Sequence, residues 1–235
     1  MEKIRLDKFL SNQLNISRSE IRKKIKKGYV LLNGKTVTDF GAPVVPGIDE
    51  VLFENKKVEY KKYIYILMNK PAGVLSASRD KSAKTVIDLV PETLKRKNLF
   101  TVGRLDKDTT GLLIITDDGA FAHNCISPGK NVKKVYIAEF EGELSPDASF
   151  EFEKGIILSD GYICKPAKLE ILGNQTAKVT VTEGKYHQVK RMMKAVGADV
   201  TALHRESVGK LKLPQDLLPG ECEELLDGRE NLACL

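Results

Sequence analysis

Residues 103–116 join a polar loop bracketed by glycines to an apolar run, Gly103-Arg104-Leu105-Asp106-Lys107-Asp108-Thr109-Thr110-Gly111-Leu112-Leu113-Ile114-Ile115-Thr116. The run at 112–116 predicts a buried strand. Loops held by a rigid sheet are where catalytic groups concentrate, and this loop carries two carboxylates and two cations. Taken alone, the segment favours Asp106 as a turn or capping aspartate. A catalytic role for Asp106 is the alternative.

On either side of this loop, short β-rich runs alternate with occasional helices. The candidate strands are 63–68, 112–116, 135–141, 167–172, 177–182 and 200–204. The candidate helices are 119–126 and 186–196, and the second has apolar residues at helical spacing from Val189 to Val196. We therefore predict an α+β fold with a mostly antiparallel or mixed sheet.

A second stretch that could serve chemistry is 183–194, which places Lys190, Arg191 and Lys194 on the predicted helix whose apolar side faces the core. A carboxylate that must stay ionised in a partly buried cleft needs a cation beside it, and this helix could supply one. Cations on a charged helix face are usually only solvated. His187 and His204 are expected to be surface or capping groups, and Asp108 a carboxylate that orders the loop.

Length and composition place the chain among globular proteins. It has 235 residues, 42% of them hydrophobic, and a formal net charge of +6. The apolar fraction excludes a disordered chain. The apolar runs are far shorter than the ~20 residues that a membrane span needs, and the first residues lack the apolar core of a secretion signal. We expect a soluble, cytoplasmic protein with no membrane partner.

The charge is concentrated near the beginning of the chain. Lys and Arg exceed Asp and Glu by six over residues 1–62, and the two classes balance over 63–235. A short predicted helix, with Ser17 as N-cap and Gly28 as its stop, carries six cations. An ordinary solvated face is one interpretation. The concentration favours phosphate binding, and the candidate residues are Arg18, Arg22, Lys23, Lys26 and Lys27.

The sequence offers no metal site and no nucleotide-cofactor motif. Cys125, Cys164, Cys222 and Cys234 are scattered, without a Cys-x-x-Cys pair and apart from the histidines. We expect reduced, structural thiols. The motifs of P-loop, dinucleotide-binding, serine-hydrolase and zinc-deaminase proteins are missing.

The first fifth of the chain resembles the S4 RNA-binding domain. The resemblance rests on residues 5–10, on Ser17-Arg18-Ser19 and on Gly28-Tyr29-Val30-Leu31-Leu32-Asn33-Gly34-Lys35, where Asn33-Gly34 also predicts a hairpin turn. S4 domains pack a basic helix pair on a small sheet and grip structured RNA. This resemblance implies an RNA-binding domain at 1–58, followed by a second domain at 59–235.

The whole chain resembles the RsuA-type pseudouridine synthases that act on ribosomal RNA. The matching motifs are 69–73 (Asn-Lys-Pro-Ala-Gly), the 103–111 loop, 127–128, 134–136, 165–170, 183–193 and 203–206. Arg-Leu-Asp-x-x-Thr-x-Gly together with His-Gln-Val-Lys-Arg-Met is a highly specific combination. The implied activity is isomerisation of a uridine to pseudouridine without a cofactor or metal.

The resemblance also implies roles for individual residues. Asp106 corresponds to the family's nucleophile, which attacks the sugar C1′ or uracil C6. Tyr136 corresponds to the tyrosine that packs against the base and helps move a proton, and Lys190 to the basic residue that pairs with the aspartate. Leu203 corresponds to an apolar pocket wall. Because uracil must be extruded from its stack, Arg104 is a candidate to fill the vacated space or hold the backbone.

The most specific hypothesis is a monomeric, two-domain synthase acting on 16S ribosomal RNA, free or in a small-subunit assembly intermediate. One alternative is a large-subunit RNA synthase of the same family. The other, from a different class, is a non-catalytic RNA-binding or ribosome-assembly factor that keeps the fold.

Overall fold

The computed structural model describes residues 2–173, 175–226 and 228–234. The chain folds into two compact units. The first is formed by the chain up to Ile64 together with Glu92–Asn98, and the second by Tyr65–Pro91 and the chain from Leu99 onward.

The first unit contains short helices and a small antiparallel sheet. Its elements are β1 (Ile4–Arg5), α1 (Leu6–Gln13), α2 (Arg18–Lys26), β2 (Val30–Leu32), β3 (Lys35–Thr36), β4 (Pro43–Val44), β5 (Val51–Phe53) and β6 (Lys56–Lys57). The sheet order is β3-β2-β5-β6, and β1 pairs with β4.

Local chemistry explains the predicted helix and hairpin of this unit. The Ser17 hydroxyl accepts a hydrogen bond from the Glu20 amide and caps α2. Gly28 follows the helix with φ +78°, a left-handed conformation that glycine adopts without strain. Asn33 and Gly34 both have positive φ, as the tight turn between β2 and β3 requires. The sequence-based prediction of these elements is confirmed.

A buried charge lies inside the first unit. The carboxylate of Asp7 is fully buried and accepts hydrogen bonds from Arg22 at 2.7 Å and from Arg5 at 3.3 Å. Burial alone would raise the pKa of Asp7, but these bonds hold the pKa below its ordinary value. Arg22 therefore links α2 to α1, a structural role in addition to the phosphate binding that the sequence predicts for it.

The second unit is built on a mixed sheet. Its elements are β7 (Tyr65–Lys70), α3 (Val86–Leu89), β8 (Phe100–Thr101), β9 (Thr110–Thr116), α4 (Gly119–Ile126), β10 (Lys134–Gly142), α5 (Ala148–Lys154), β11 (Lys168–Gly173), β12 (Thr176–Val181), α6 (Gln188–Ala195), β13 (Ala198–Val208), β14 (Leu211–Lys212) and β15 (Cys222–Glu224). Two 3-10 turns lie at Pro128–Lys130 and Arg229–Cys234.

The strand order is β11-β12-β10-β13-β9-β7-β15, with β8 beside β9 and β14 beside β13. β9 and β13 run parallel, and the other pairs in this sheet are antiparallel. The predicted α+β class with a mixed sheet is confirmed. Apolar residues of α5 and α6 share one core cluster with β10–β13, so α6 is fixed beside the middle of the sheet.

The state of the cysteines corrects one prediction. Cys125 of α4 and Cys234 of the last 3-10 turn form a disulfide, with their Cα atoms 4.8 Å apart. The expectation that all four cysteines are reduced is wrong for this pair, because the fold brings together residues 109 positions apart. Cys164 and Cys222 are free thiols.

None of the helices in the described ranges is both long and apolar enough to cross a membrane.

Candidate active site

The loop between Gly103 and Gly111 is fixed by its glycines. Both have positive φ, +74° and +99°. A Cβ at Gly111 would collide with the backbone of Arg205, because β9 and β13 are paired in parallel at this point. The glycines that bracket the loop in the sequence therefore set its path, and the path sets the direction of Asp106.

Lys70, at the end of β7, lies beneath the loop and is fully buried. Its ammonium donates hydrogen bonds to the carbonyl oxygens of Lys107 and Thr109, at 3.2 and 2.9 Å, and to that of Pro71 at 3.0 Å. Burial lowers the pKa of Lys70 to about 8, although the charges of Asp108 and Asp106 act in the opposite direction. One buried cation therefore anchors the loop on both sides of Asp108.

Ser76 provides a second anchor. Its hydroxyl donates to the Leu105 carbonyl at 2.9 Å and accepts from the Leu105 amide at 3.1 Å. Leu105 directly precedes Asp106 in the chain. The segment that follows β7 thus holds the backbone next to the candidate nucleophile.

Asp106 opens into a cleft with an apolar wall and a polar rim. Tyr136 of β10, Leu203 of β13 and Val189 of α6 line the cleft together with Asp106 and Arg104. The Asp106 side chain is 28% exposed, and its Oδ1 lies 3.3 Å from Nε2 of His187. The structure therefore brings together four residues that the sequence predicted for one site: Arg104, Asp106, Tyr136 and Leu203.

Lys190 has a different partner from the one that the family resemblance implies. Its Nζ donates to Oδ2 of Asp108 at 2.6 Å. This bond is the main reason why the pKa of Asp108 is lowered. The expected pairing of Lys190 with Asp106 is therefore wrong for this structure, where His187 occupies that place. Asp108 does order the loop, as predicted, by tying it to α6.

His187 owes its position to its backbone. It has φ +47° and precedes α6, and its ring stacks on Tyr186 with centroids 3.8 Å apart. This left-handed residue explains why α6 begins at Gln188 and not at 186. His187 is the N-cap residue of α6, as the capping alternative predicted, but its imidazole points towards Asp106 and makes no capping hydrogen bond.

Glu183 organises the segment before α6. It is buried, and its carboxylate accepts from the Tyr162 hydroxyl, the Lys165 amide and the Gln188 side-chain amide at 2.8–2.9 Å. Gln188 in turn accepts from the Lys185 amide at 2.9 Å. This network holds the part of the cleft that residues 183–188 line.

The candidate phosphate-binding residues lie in the first unit, on α2 and just after it. Arg18, Lys23, Lys26 and Lys27 are exposed. Arg22 is half-buried on Asp7.

Sequence reasoning missed the supporting roles of Lys70, Ser76, His187 and Glu183. Lys70 gave a signal, since a lysine ends a strand that begins with the apolar run 65–68. The others gave none, because contacts between residues that are distant in the sequence leave no periodic pattern. Within the described ranges, no group of three or more His, Cys, Asp or Glu side chains could hold a metal ion.

Comparison with known families defines the class of protein. A family model described as RNA pseudouridylate synthase matches residues 64–195, and a model of the S4 domain matches residues 4–47. The chain belongs to the RNA pseudouridine synthase family and carries an S4 domain. The family resemblance and the enzyme class predicted from the sequence are thereby confirmed.

Individual relatives extend over nearly the whole chain. The chain is 43% identical over 228 residues to the uncharacterized RNA pseudouridine synthase YtzG of Bacillus subtilis, covering 95% of each chain. It is 36% identical to ribosomal small subunit pseudouridine synthase A of Escherichia coli K12, covering 95% of this chain and 97% of the relative. A crystal structure of a pseudouridylate synthase superposes with a TM-score of 0.68 at 33% identity, covering 98% and 99% of the two chains.

Proposed function

We propose that this enzyme isomerises one uridine of ribosomal RNA to pseudouridine, with small-subunit 16S RNA as the substrate and Asp106 as the nucleophile. The observation that carries the proposal is the Asp106 cleft, in which a carboxylate faces a half-buried tyrosine and an apolar wall. Relatives named for the ribosomal small subunit support the choice of RNA.

The proposed reaction needs only the chain's own side chains. Asp106 attacks the target nucleotide at the sugar C1′ or at uracil C6, so that the bond between C1′ and N1 breaks. The freed base, which keeps the bonding electrons at N1, turns and rejoins the sugar through C5 while the bond to Asp106 breaks and frees the carboxylate. The proton on C5 then leaves, and N1 takes up a proton. The carboxylate is the attacking group, and the imidazole of His187 lies beside it, with Nε2 at 3.3 Å from Oδ1 of Asp106.

Tyr136 and Leu203 form the proposed base pocket. Tyr136 would pack against uracil and assist the proton transfer, and Leu203 would form the opposite apolar wall. Lys190 acts on Asp106 only indirectly, by holding Asp108 and with it the loop. Arg104, exposed two residues before the nucleophile, would fill the gap that the extruded base leaves or hold its backbone.

The division of labour follows the two parts of the chain. We propose that residues 1–58 bind RNA through Arg18, Arg22, Lys23, Lys26 and Lys27, and that residues 59–235 carry the catalysis. Cations on one short helix bind the phosphates of RNA and so release the counterions that are condensed on the RNA. The enzyme would act as a cytoplasmic monomer, on free RNA or on a small-subunit assembly intermediate.

One experiment tests the activity and the nucleophile together. Unmodified 16S transcript or subunit precursor is incubated with wild-type protein and with Asp106→Asn, and new pseudouridine is mapped by carbodiimide modification. We expect one modified site with the wild type and none with the variant. Activity that survives in Asp106→Asn would refute the role of Asp106. Lack of any modification, with RNA affinity retained, would identify a non-catalytic binding factor, and modification of only 23S transcript would reassign the substrate.

A further inference from the structure

A second cavity of about 170 Å³ borders the Asp106 cleft. The two share Arg104, Tyr136 and residues 183–185. The second cavity extends behind Tyr136 to Lys134, Arg205 and the end of α4. Its position makes it accessible to whatever part of a substrate lies next to the reacting nucleotide.

The floor of this cavity holds two buried cations. Arg205 is 4% exposed and Lys134 is 9% exposed. The Nε of Arg205 donates to the Leu112 carbonyl and its Nη1 to the Tyr136 hydroxyl at 3.5 Å. Its Nη2 is buried and has no hydrogen-bond partner in the part of the chain that the structure describes. A buried guanidinium nitrogen without an acceptor is costly, unless a ligand supplies the acceptor.

The charge around the cavity is strongly unbalanced. Arg104 and Lys185, both exposed, add two cations at its rim. The carboxylate among its lining residues, Glu183, is already engaged by Tyr162, the Lys165 amide and Gln188. Burial lowers the pKa of Lys134 to about 8, with a smaller contribution from the positive charges of Arg205 and Lys165. Cations that destabilise one another in this way are stabilised when an anion binds among them.

From this arrangement we infer that the cavity of Lys134, Arg205, Lys185 and Arg104 is an anion subsite for one backbone phosphate of the RNA, adjacent to the nucleotide that Asp106 attacks. The inference rests on the proposed function for the identity of the anion. A phosphodiester suits this cavity because it carries one negative charge and two free oxygens, which can accept hydrogen bonds from the Arg205 guanidinium and from the Lys134 ammonium, itself a donor to the Val132 carbonyl. The subsite would fix the sugar of the target nucleotide while its base turns.

The first test does not depend on the reaction. Lysine side chains labelled with ¹³C at Cε are titrated by NMR, with and without inorganic phosphate at constant ionic strength, and Lys134→Met identifies the signal. We expect phosphate to raise the midpoint of Lys134 by about one pH unit, as an opposite charge at contact does. An unchanged midpoint would overturn the subsite, whether or not the protein modifies RNA. Exposed Lys154 of α5 serves as the control signal.

The second test identifies the phosphate. A neutral methylphosphonate replaces, in turn, each phosphate flanking the target uridine of a short RNA, and the Kd is measured. Wild-type protein should lose about tenfold in affinity at one of the two positions, the size expected for a charged hydrogen bond. In Lys134→Met the loss at that position should be smaller, because one of the cations that contact the phosphate is missing, whereas Lys154→Met should behave as wild type. An equal loss in Lys134→Met and in wild type would overturn the assignment.

Discussion

Replacing Lys70 by methionine tests how Asp106, the proposed nucleophile, is positioned. Lys70 touches neither the cleft nor the substrate in the proposed mechanism, but its ammonium donates to the carbonyls of Pro71, Lys107 and Thr109. Methionine has a similar length and fills the same buried space without a donor. The substitution therefore removes the anchor of the catalytic loop while the apolar packing is retained.

The structure gives the sizes of the opposing effects. All three carbonyls lose the Lys70 ammonium as a donor. The Lys107 carbonyl keeps the Gly73 amide at 2.8 Å, so the cost falls on the Pro71 and Thr109 carbonyls, at about 1–3 kcal/mol each. Methionine escapes the penalty that lowers the pKa of Lys70 from 10.5 to about 8, which is worth about 3 kcal/mol. The free energy of unfolding should therefore change by no more than about 3 kcal/mol. A displaced Asp106, however, should reduce kcat about 10- to 100-fold.

The assay is the release of tritium from RNA labelled at uracil C5, together with urea unfolding and amide hydrogen exchange. We expect Lys70→Met to lower kcat with little change in KM, and to speed exchange at the Thr109 amide, which donates to the Asp106 carbonyl. Lys154→Met is the matched control. A wild-type kcat in Lys70→Met, with the protein folded, would show that the loop holds its shape without the buried cation.

Three further predictions concern other contacts. The double-mutant cycle of Lys190→Met and Asp108→Asn should give a coupling of about 0.2–1 kcal/mol in unfolding experiments, as for other partly exposed pairs, and complete additivity would mean that the bond is not formed in solution. Because the pKa of Asp7 is lowered in the folded state, its carboxylate stabilises the protein at pH values above its ordinary pKa of 3.8, and this stabilisation is lost as the pH falls through the lowered pKa. Asp7→Asn should weaken the dependence of the free energy of unfolding on pH in this acidic range, and an unchanged dependence would contradict this. Cys234→Ser should lower the free energy of unfolding by about 2–5 kcal/mol and remove its dependence on reductant, and stability that still depends on reductant would exclude the bond with Cys125.

The longer elements of the fold could be predicted because each has its own local signal. Ser17 and Gly28 mark the ends of α2, Asn33-Gly34 marks the hairpin, and the apolar run before Thr116 marks β9. Several of the elements that were missed have no such signal. The strands β8, β14 and β15 contain two or three residues each and exist only because a longer strand lies beside them. The disulfide was missed for the same reason, since it depends on a tertiary contact.

For the site, the sequence indicated the correct residues but not all of their partners. Asp106, Tyr136 and Leu203 line one cleft, as the family resemblance implies. In Asp106-Lys107-Asp108, however, the backbone path decides which carboxylate meets α6, and that path depends on Lys70 beneath the loop. Arg205 was also overlooked, because a guanidinium in a strand reveals its unsatisfied nitrogen only when the surrounding atoms are known.

The parallel pairing of β9 with β13 also governs when the enzyme can become active during its synthesis. Thr110 and Gly111 pair with His204 and Arg205, so the loop that carries Asp106 and the strand that carries Leu203 come from distant parts of the chain. About a hundred residues separate Asp106 from Leu203, and at about 5–20 residues per second a ribosome needs about 5–20 seconds to add them. Throughout that interval Asp106 has been made but its pocket has not, so a nascent chain cannot modify the ribosomal RNA that surrounds it.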